Sequence, residues 1–278
     1  METVPFSDIS RGSVTWNPWH GCHRVSEGCR NCFMFAGDRM RGVDGSDTVR
    51  RSRTQFDLPL KKDRSGRYLY RDTVIGTCMT SDFFIEEADA WREDAWDIIR
   101  SRKDCTFMIT TKRPHRIPQC LPADWGDGYG NVRIAVSVEN QRAWDERIPL
   151  LFSFPAANRD VFMAPLIGPI DTGPMLDRYG IDCIYVGGEY GPGSRMCDYR
   201  WVLDVRESCI SHGVAFHWHN SGENLLMDGS LMTGLTVSQQ NSICDGADID
   251  HIIEDKMPGP RQRRLFRSLS AGETRFRR

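Results

Sequence analysis

Three cysteines near the start of the chain have the type and spacing of metal ligands. Cys22, Cys29 and Cys32 are separated by six and then two residues. Cysteine thiolates hold iron–sulfur clusters, and three of them on a four-iron cluster leave the fourth iron open to a small molecule. With His20 or His23 as a fourth ligand, the same residues suit a tetrahedral zinc site. From spacing alone, a cluster, zinc and unrelated thiols all remain open.

The elements that would position these cysteines are seven short β-branched and aromatic runs, separated by helical or loop stretches. Such alternation is typical of β-α units around a parallel sheet. In a barrel, the carboxyl ends of the strands gather at one face, where chemistry is done. The sequence therefore predicts an α/β fold, an incomplete parallel (β/α) barrel of about six or seven strands. The predicted strands cover residues 13–16, 73–79, 106–110, 132–138, 160–164, 183–186 and 215–218.

The clearest helix follows the second strand, where five apolar residues recur every three or four positions and acids occupy the remaining face. The apolar stripe, expected in the core, consists of Ile85, Ala88, Trp91, Ala95 and Ile98. Residues 1–222 are predicted to form the partial barrel, with an insertion at about residues 40–71 between the first two strands. Residues 223–278 are predicted to be an appended segment with a basic C-terminal tail.

Composition indicates an ordinary globular protein, with 40% hydrophobic and 27% charged residues. Ten cysteines in 278 residues are too sparse for a small disulfide scaffold, and the opening residues lack the basic and apolar regions of a secretion signal. No apolar run approaches the ~20 residues needed to cross a bilayer. We therefore expect a cytoplasmic protein with no membrane partner.

Positive charge is clustered in two segments although the net charge is only −2. Residues 50–71 carry eight basic residues interleaved with Phe56, Tyr68 and Tyr70, and residues 261–278 carry seven arginines. Such mixtures suit a phosphate backbone, with rings on which bases can stack. The alternative is a solvated basic loop and a frayed tail.

The segment from Trp16 to Cys22 resembles the opening of the phage-associated three-Cys-motif family of radical S-adenosylmethionine proteins. Similar landmarks recur downstream, so that the resemblance spans about residues 14 to 222. They are Thr80–Phe84, Thr111–Pro114, Val136–Gln141, Pro165–Ile170 and Gly187–Glu189. The chain departs from the family pattern at Ala164-Pro165, where Glu-Pro is usual, and at residues 218–222, which replace Phe-Lys-Gln-Trp-Gly.

This resemblance implies a radical S-adenosylmethionine type of partial barrel, with a [4Fe-4S] cluster held by Cys22, Cys29 and Cys32. S-adenosylmethionine on the open iron would yield a 5′-deoxyadenosyl radical after one-electron reduction. An electron donor such as flavodoxin or ferredoxin is then implied as a partner, in a bacterial or phage-infected host cell.

Candidate cofactor contacts follow three of the predicted strands. Hydroxyls and a carboxylate after the second strand are expected to hold the ammonium group of the cofactor, and residues after the fourth strand to contact its ribose or carboxylate. The Gly-Gly-Glu run after the sixth strand is a further candidate. In the wider superfamily such a run follows the second strand, so the role that it has there is not carried over to this position. The alternative is ordinary strand-end turn chemistry. The candidates are Thr80, Ser81, Asp82, Ser137, Glu139, Asn140, Gly187, Gly188 and Glu189.

Three residues are candidates for catalysis. Lys112, beside Arg113, offers fixed positive charge to a phosphate or carboxylate. Cys78 is a candidate hydrogen-atom donor, whereas the other cysteines are expected in packing. His217 and His219 alternate along the seventh strand, so we expect only one to face inward and favour His219. A structural, hydrogen-bonded histidine is the alternative.

The leading functional hypothesis is modification of a base in phage DNA, for instance rearrangement of a glycyl substituent on a thymidine-derived base. DNA or a nucleotide-linked substrate is the expected partner, and a base in duplex DNA would have to leave the stack. The alternatives are radical repair of damaged pyrimidines and a non-catalytic, zinc-stabilised nucleic-acid binding module.

Overall fold

The protein is built around a seven-stranded parallel sheet that curls into a half-barrel, as seen in a computed structural model that describes residues 14–256. Neighbouring strands in the sheet are also neighbours in the sequence. The strands are β1 (Val14–Trp16), β2 (Val74–Thr77), β3 (Thr106–Thr111), β4 (Val132–Ser137), β5 (Arg159–Met163), β6 (Cys183–Gly187) and β7 (Ala215–Asn220). The predicted α/β partial barrel is confirmed, and the strand ends within the described residues differ from the prediction by at most two residues.

Helices and short turns connect the strands, and small strands pair outside the main sheet. The helices are α1 (Phe33–Met40), α2 (Asp89–Ser101), α3 (Ile117–Cys120), α4 (Gln141–Leu151), α5 (Gly173–Leu176), α6 (Tyr199–Ser211) and α7 (Val237–Ala247). The 3-10 turns are Glu27–Cys29, Leu58–Leu60, Glu86–Ala88, Pro114–Arg116 and Glu254–Lys256. Trp19–His20 pairs with Arg50–Arg51, and Asn224–Met227 lies between Met196–Asp198 and Ser230–Met232. None of the helices in residues 14–256 is long and apolar enough to cross a bilayer.

Alternate residues of each strand point to opposite faces of the sheet, which produces two apolar layers. The larger layer joins one face of the strands to the helices, with Trp96 and Trp144 fully buried within it. The smaller layer lies on the inner face of the half-barrel and includes Met108, Phe162 and Tyr185. The larger layer packs the helices against the sheet, and the side chains of the inner face shape a cavity.

The helix after β2 confirms the predicted apolar stripe. Ile85, Ala88, Ala95 and Ile98 are buried, and Trp91 is half-buried. The regular helix begins only at Asp89, because residues 86–88 form a 3-10 turn.

Segments outside the barrel cover both open edges of the sheet. The indole of Trp16 on β1 donates hydrogen bonds of 3.0 Å to the carbonyls of Gln55 and Phe56 in the insertion. On β7, Phe216 and His251 exchange two backbone hydrogen bonds of 2.9 Å. Unpaired strand edges invite aggregation, so these covers complete a fold that does not close on itself.

Candidate active site

A cavity lies between residues 21–32, here called the cysteine loop, and the carboxyl ends of the barrel strands. It contains about 1050 Å³ of empty space, its open mouth included. Cys22, Cys29 and Cys32 all line it and are all half-buried. The opposite walls come from the strand ends, including Ser137 at the end of β4 and His219 on β7. This is the face at which the parallel fold predicts a ligand site.

The first half of the cysteine loop is fixed to two neighbouring segments. The amide of Gly21 donates to the carbonyl of Thr80 at 3.2 Å, and the amide of Cys22 to that of Ser46 at 3.1 Å. Gly21 has φ +98°, and a Cβ there would lie 2.3 Å from the carbonyl oxygen of Thr48. Only glycine fits this position, so the Gly21-Cys22 pair is determined by backbone geometry.

The second half of the loop is held by two buried carboxylates. Glu139 accepts a hydrogen bond of 3.2 Å from the amide of Gly28, and Glu189 accepts one of 2.9 Å from the side chain of Asn31. Arg147 pairs with Glu139 at 2.8 Å, and Arg195 with Glu189 at 2.6 Å. Both carboxylates, predicted as cofactor contacts, are therefore occupied by the chain itself. Glu139 does not line the cavity, whereas Glu189 does.

Asp82 is another predicted cofactor contact whose oxygens already have partners. It accepts hydrogen bonds from the hydroxyl of Thr111 at 2.7 Å, the amide of Lys112 at 3.1 Å and the guanidinium of Arg113 at 3.2 Å. Arg113 in turn lies 3.8 Å from the sulfur of Cys22. Since a carboxylate saturated in this way has little capacity left for an ammonium group, Asp82 positions Arg113 beside the cysteine loop.

Burial keeps two of the cysteines protonated. It raises the pKa of the Cys22 thiol to about 11, although the nearby Arg113 guanidinium opposes the shift. Burial also raises the pKa of Cys32, against opposing hydrogen bonds from the backbone of Met34 and the charge of Lys112. Because a bound metal favours the thiolate, metal loading here would release protons.

Within residues 14–256, no three His, Cys, Asp or Glu side chains are arranged to hold a metal ion as they stand. The two histidines considered for zinc both have other partners. His20 lies outside the cavity lining, with its Nε2 2.7 Å from Asp38, and His23 lines the cavity but pairs with Glu87. The cysteine loop therefore presents three thiols to the cavity, with cationic side chains nearby, and neither histidine is placed beside them as a fourth zinc ligand.

The remaining candidates divide between cavity wall and scaffold. Those that line the cavity are Cys78, Ser81, Asp82, Lys112, Ser137, Gly188, Glu189 and His219. Thr80, Glu139, Asn140 and Gly187 do not line it. Asn140 instead caps α4, because its side chain accepts a hydrogen bond from the amide of Ala143. The alternative of strand-end turn chemistry therefore holds for Asn140.

The prediction that only one histidine of β7 faces inward is wrong. Residues two apart in a strand lie on the same face, so His217 and His219 share it and Trp218 points away. The ring centroid of His219 lies 6.1 Å from that of Phe162, and the ring centroid of His217 lies 5.9 Å from that of Tyr185. His219 lines the cavity, and His217 lies below it, paired with Asp250 at 2.7 Å.

Sequence reasoning missed three aromatic residues of the cavity wall, Phe33, Phe162 and Tyr190. Phe162 occupies the inner face of β5, and Tyr190 follows the Gly-Gly-Glu run and stacks on Phe33. Counting back two positions from Ala164 along β5 would have placed Phe162 on the inner face.

The rings of the basic insertion are engaged within the chain, contrary to the prediction that they are available to bases. Phe56 is buried beneath the guanidinium of Arg51, 3.7 Å from the ring centroid. The guanidinium of Arg102 lies 3.8 Å from the centroid of Tyr68. Tyr70 is half-buried with its hydroxyl 3.4 Å from a β1 carbonyl. The predicted basic tail lies outside the described residues.

Fold and site together define an α/β half-barrel protein with a cysteine-lined cavity at the carboxyl ends of its strands. The chain belongs to the family described as "Protein of unknown function (DUF5131)", which matches residues 6–258. No curated protein and no solved structure matches it.

Proposed function

We propose that this chain is a radical S-adenosylmethionine enzyme in which Cys22, Cys29 and Cys32 hold a [4Fe-4S] cluster. The observation that carries the proposal is that three thiols from one loop line a single cavity at the carboxyl ends of the strands. Three thiolates leave one iron free for a ligand.

When bound, the cluster and cofactor supply a 5′-deoxyadenosyl radical, with methionine as the other product and one electron drawn from a donor such as flavodoxin or ferredoxin. The chain's own residues prepare the site. Glu139 and Glu189 fix the loop, and Arg113 places positive charge beside Cys22. Burial raises the pKa of Cys78, so this thiol keeps the S–H hydrogen that a donor to a substrate radical needs.

For the substrate, we propose a base in phage DNA, such as a thymidine-derived base whose glycyl substituent is rearranged. The resemblance of the cysteine segment and of the later landmarks supports this, together with exposed cations of the insertion such as Arg53, Arg64 and Arg67. Abstraction from the glycyl α-carbon is chemically favourable because the neighbouring amino and carbonyl groups stabilise the radical.

Anaerobic reconstitution with iron and sulfide tests the proposal. We expect about four irons and four sulfides per chain, as a single cubane cluster requires. A strong reductant should then give 5′-deoxyadenosine from S-adenosylmethionine. Modified and ultraviolet-damaged duplexes, added separately, distinguish modification from repair by a change in mass or linkage. One tightly bound zinc, with neither iron nor cofactor cleavage, would reject the enzyme in favour of a zinc-stabilised module.

A further inference from the structure

One cation in the cavity wall lacks the carboxylate partner that the neighbouring cations have. Arg113, Arg147 and Arg195 pair with Asp82, Glu139 and Glu189, respectively. Lys112 is half-buried and lines the cavity, yet no carboxylate of residues 14–256 lies within ion-pair distance of its ammonium group. Its charge acts on Glu139 from farther away and, against the effect of burial, helps to lower the pKa of that carboxylate.

The ammonium of Lys112 is instead oriented by a neutral hydroxyl. Its Nζ donates a hydrogen bond of 2.7 Å to Oγ of Ser137. An ammonium group has three donors, so two remain for other partners. Thr110 on β3, two residues before Lys112 and also in the cavity wall, has a buried hydroxyl without a hydrogen-bond partner in the described part of the chain. Both groups can therefore still donate hydrogen bonds to an anionic ligand in the cavity.

An aromatic surface lies directly beside this polar group. Ser137 and Phe162 are register partners on β4 and β5. Phe162 stacks on the buried ring of Tyr185, with the centroids 4.7 Å apart and the planes 12° apart. The ring of His219 on β7 also lies beside Phe162, with the two planes 70° apart. A ring that is held by stacking on Tyr185 and that lines the cavity favours a planar ligand partner.

We propose that Lys112 and Ser137 bind an oxyanion of the ligand, and that Phe162 contacts the planar ring of the same ligand. Two sources carry this chemistry: S-adenosylmethionine, with its carboxylate and adenine, and a nucleotide, with its phosphate and base. The first source rests on the proposed function, whereas nucleotide binding needs no cluster.

Calorimetric titration of the reconstituted full-length protein with two matched ligand pairs tests the site. One pair is S-adenosylmethionine and its decarboxylated analogue, and the other is thymidine 5′-monophosphate and thymidine. The wild-type protein should bind the charged member of one pair about tenfold or more tightly than the uncharged member. Lys112→Met should abolish that preference and Lys112→Arg should retain part of it. Phe162→Leu should weaken both members of the same pair.

Lys103→Met is the matched control, because Lys103 is exposed and precedes the amino end of the same strand. It should bind all four ligands as the wild type does, and circular dichroism should show each variant folded. A preserved preference in Lys112→Met, or none in the wild type, overturns the inference. If the wild type cleaves the cofactor only with iron, but Lys112→Met keeps the preference for the charged ligand, this inference is rejected and the proposed function is not. A Lys112-dependent preference for the nucleotide in a zinc-containing protein would reject the proposed function alone.

Discussion

Charged side chains at opposite ends of the inner face of the sheet differ in whether they have an oppositely charged partner. Towards the amino end, Arg133 on β4 and Asp160 on β5 are almost fully buried and joined by two hydrogen bonds of 2.6 and 2.5 Å. Arg133 also donates to the side chain of Asn158 and to the carbonyl of Lys256. At the carboxyl end of the sheet, the ammonium of Lys112, which follows β3, donates to the hydroxyl of Ser137 and forms no ion pair with a carboxylate of the described residues.

Within one sheet, this difference separates residues that stabilise the fold from residues that can bind a ligand. Buried charges that satisfy each other leave nothing for a ligand to bind, and their partners must be present for the fold to be stable. Thiols and a lysine without a carboxylate partner add little to stability but can bind a ligand. The comparison therefore predicts that substitutions of Lys112 and the three thiols change binding, and that those of Arg133 and Asp160 change the free energy of unfolding.

The largest expected effect is at the cysteine loop. Cys29→Ala should reduce iron content after reconstitution to background and abolish cofactor cleavage, because two thiolates do not retain a site-differentiated cluster. Cys209→Ala is the control, since Cys209 is fully buried in the apolar core. It should keep its iron and lose stability only modestly. Equal iron content in the two variants, measured by colorimetric iron analysis, contradicts the assignment.

The next effect tests the amino end. Asp160→Ala leaves the Arg133 guanidinium buried without its partner, which should lower the free energy of unfolding by about 3–5 kcal/mol. Replacing both residues with apolar ones of similar volume should restore most of this loss. Urea denaturation followed by tryptophan fluorescence measures both. If Asp160→Ala unfolds at the wild-type urea concentration, the two ends do not differ as we infer.

The sequence predicted the positions of the strands better than the contacts between side chains. Short β-branched and aromatic runs placed all seven strands, because burial on both faces of a parallel strand leaves a nearly continuous apolar run in the sequence. The cysteines were found because their chemistry depends on residue type and spacing. The roles of Asp82 and Glu189 were not found, because Arg113 and Arg195 occupy them only after the chain folds. A lone carboxylate looks the same in sequence whether it binds a ligand or positions an arginine.

A smaller effect is expected where two loops of the carboxyl end touch. A Cβ on Gly188 would lie 2.5 Å from the carbonyl oxygen of Ser221 and 2.6 Å from Cα of Gly222. Both are backbone atoms, so Gly188→Ala should cost about 1–3 kcal/mol of stability as the loops separate. Gly168→Ala is the control, because a Cβ on Gly168 would meet no atom of the described residues within 4 Å. A wild-type melting temperature for Gly188→Ala would show that these loops move apart freely.

The smallest effect is the acid sensitivity of the cysteine loop. Burial alone would raise the pKa of Glu189, but hydrogen bonds from Arg195 and Asn31 outweigh it and hold the pKa below its usual value. A carboxylate with a lowered folded-state pKa stabilises the protein above its unfolded pKa of about 4.3, and this contribution is lost as the pH falls below that value.

Urea denaturation between neutral pH and pH 3 should therefore show the wild type losing stability more steeply than Glu189→Gln in the acidic part of the range. The difference in slope is at most about 1.4 kcal/mol per pH unit for one group. Asp145→Asn, an exposed site on α4, should follow the wild-type curve. Parallel stability curves for Glu189→Gln and the wild type would mean that Glu189 holds the loop without depending on its charge. The contrast between the two ends of the sheet would then rest on Lys112 and the thiols alone.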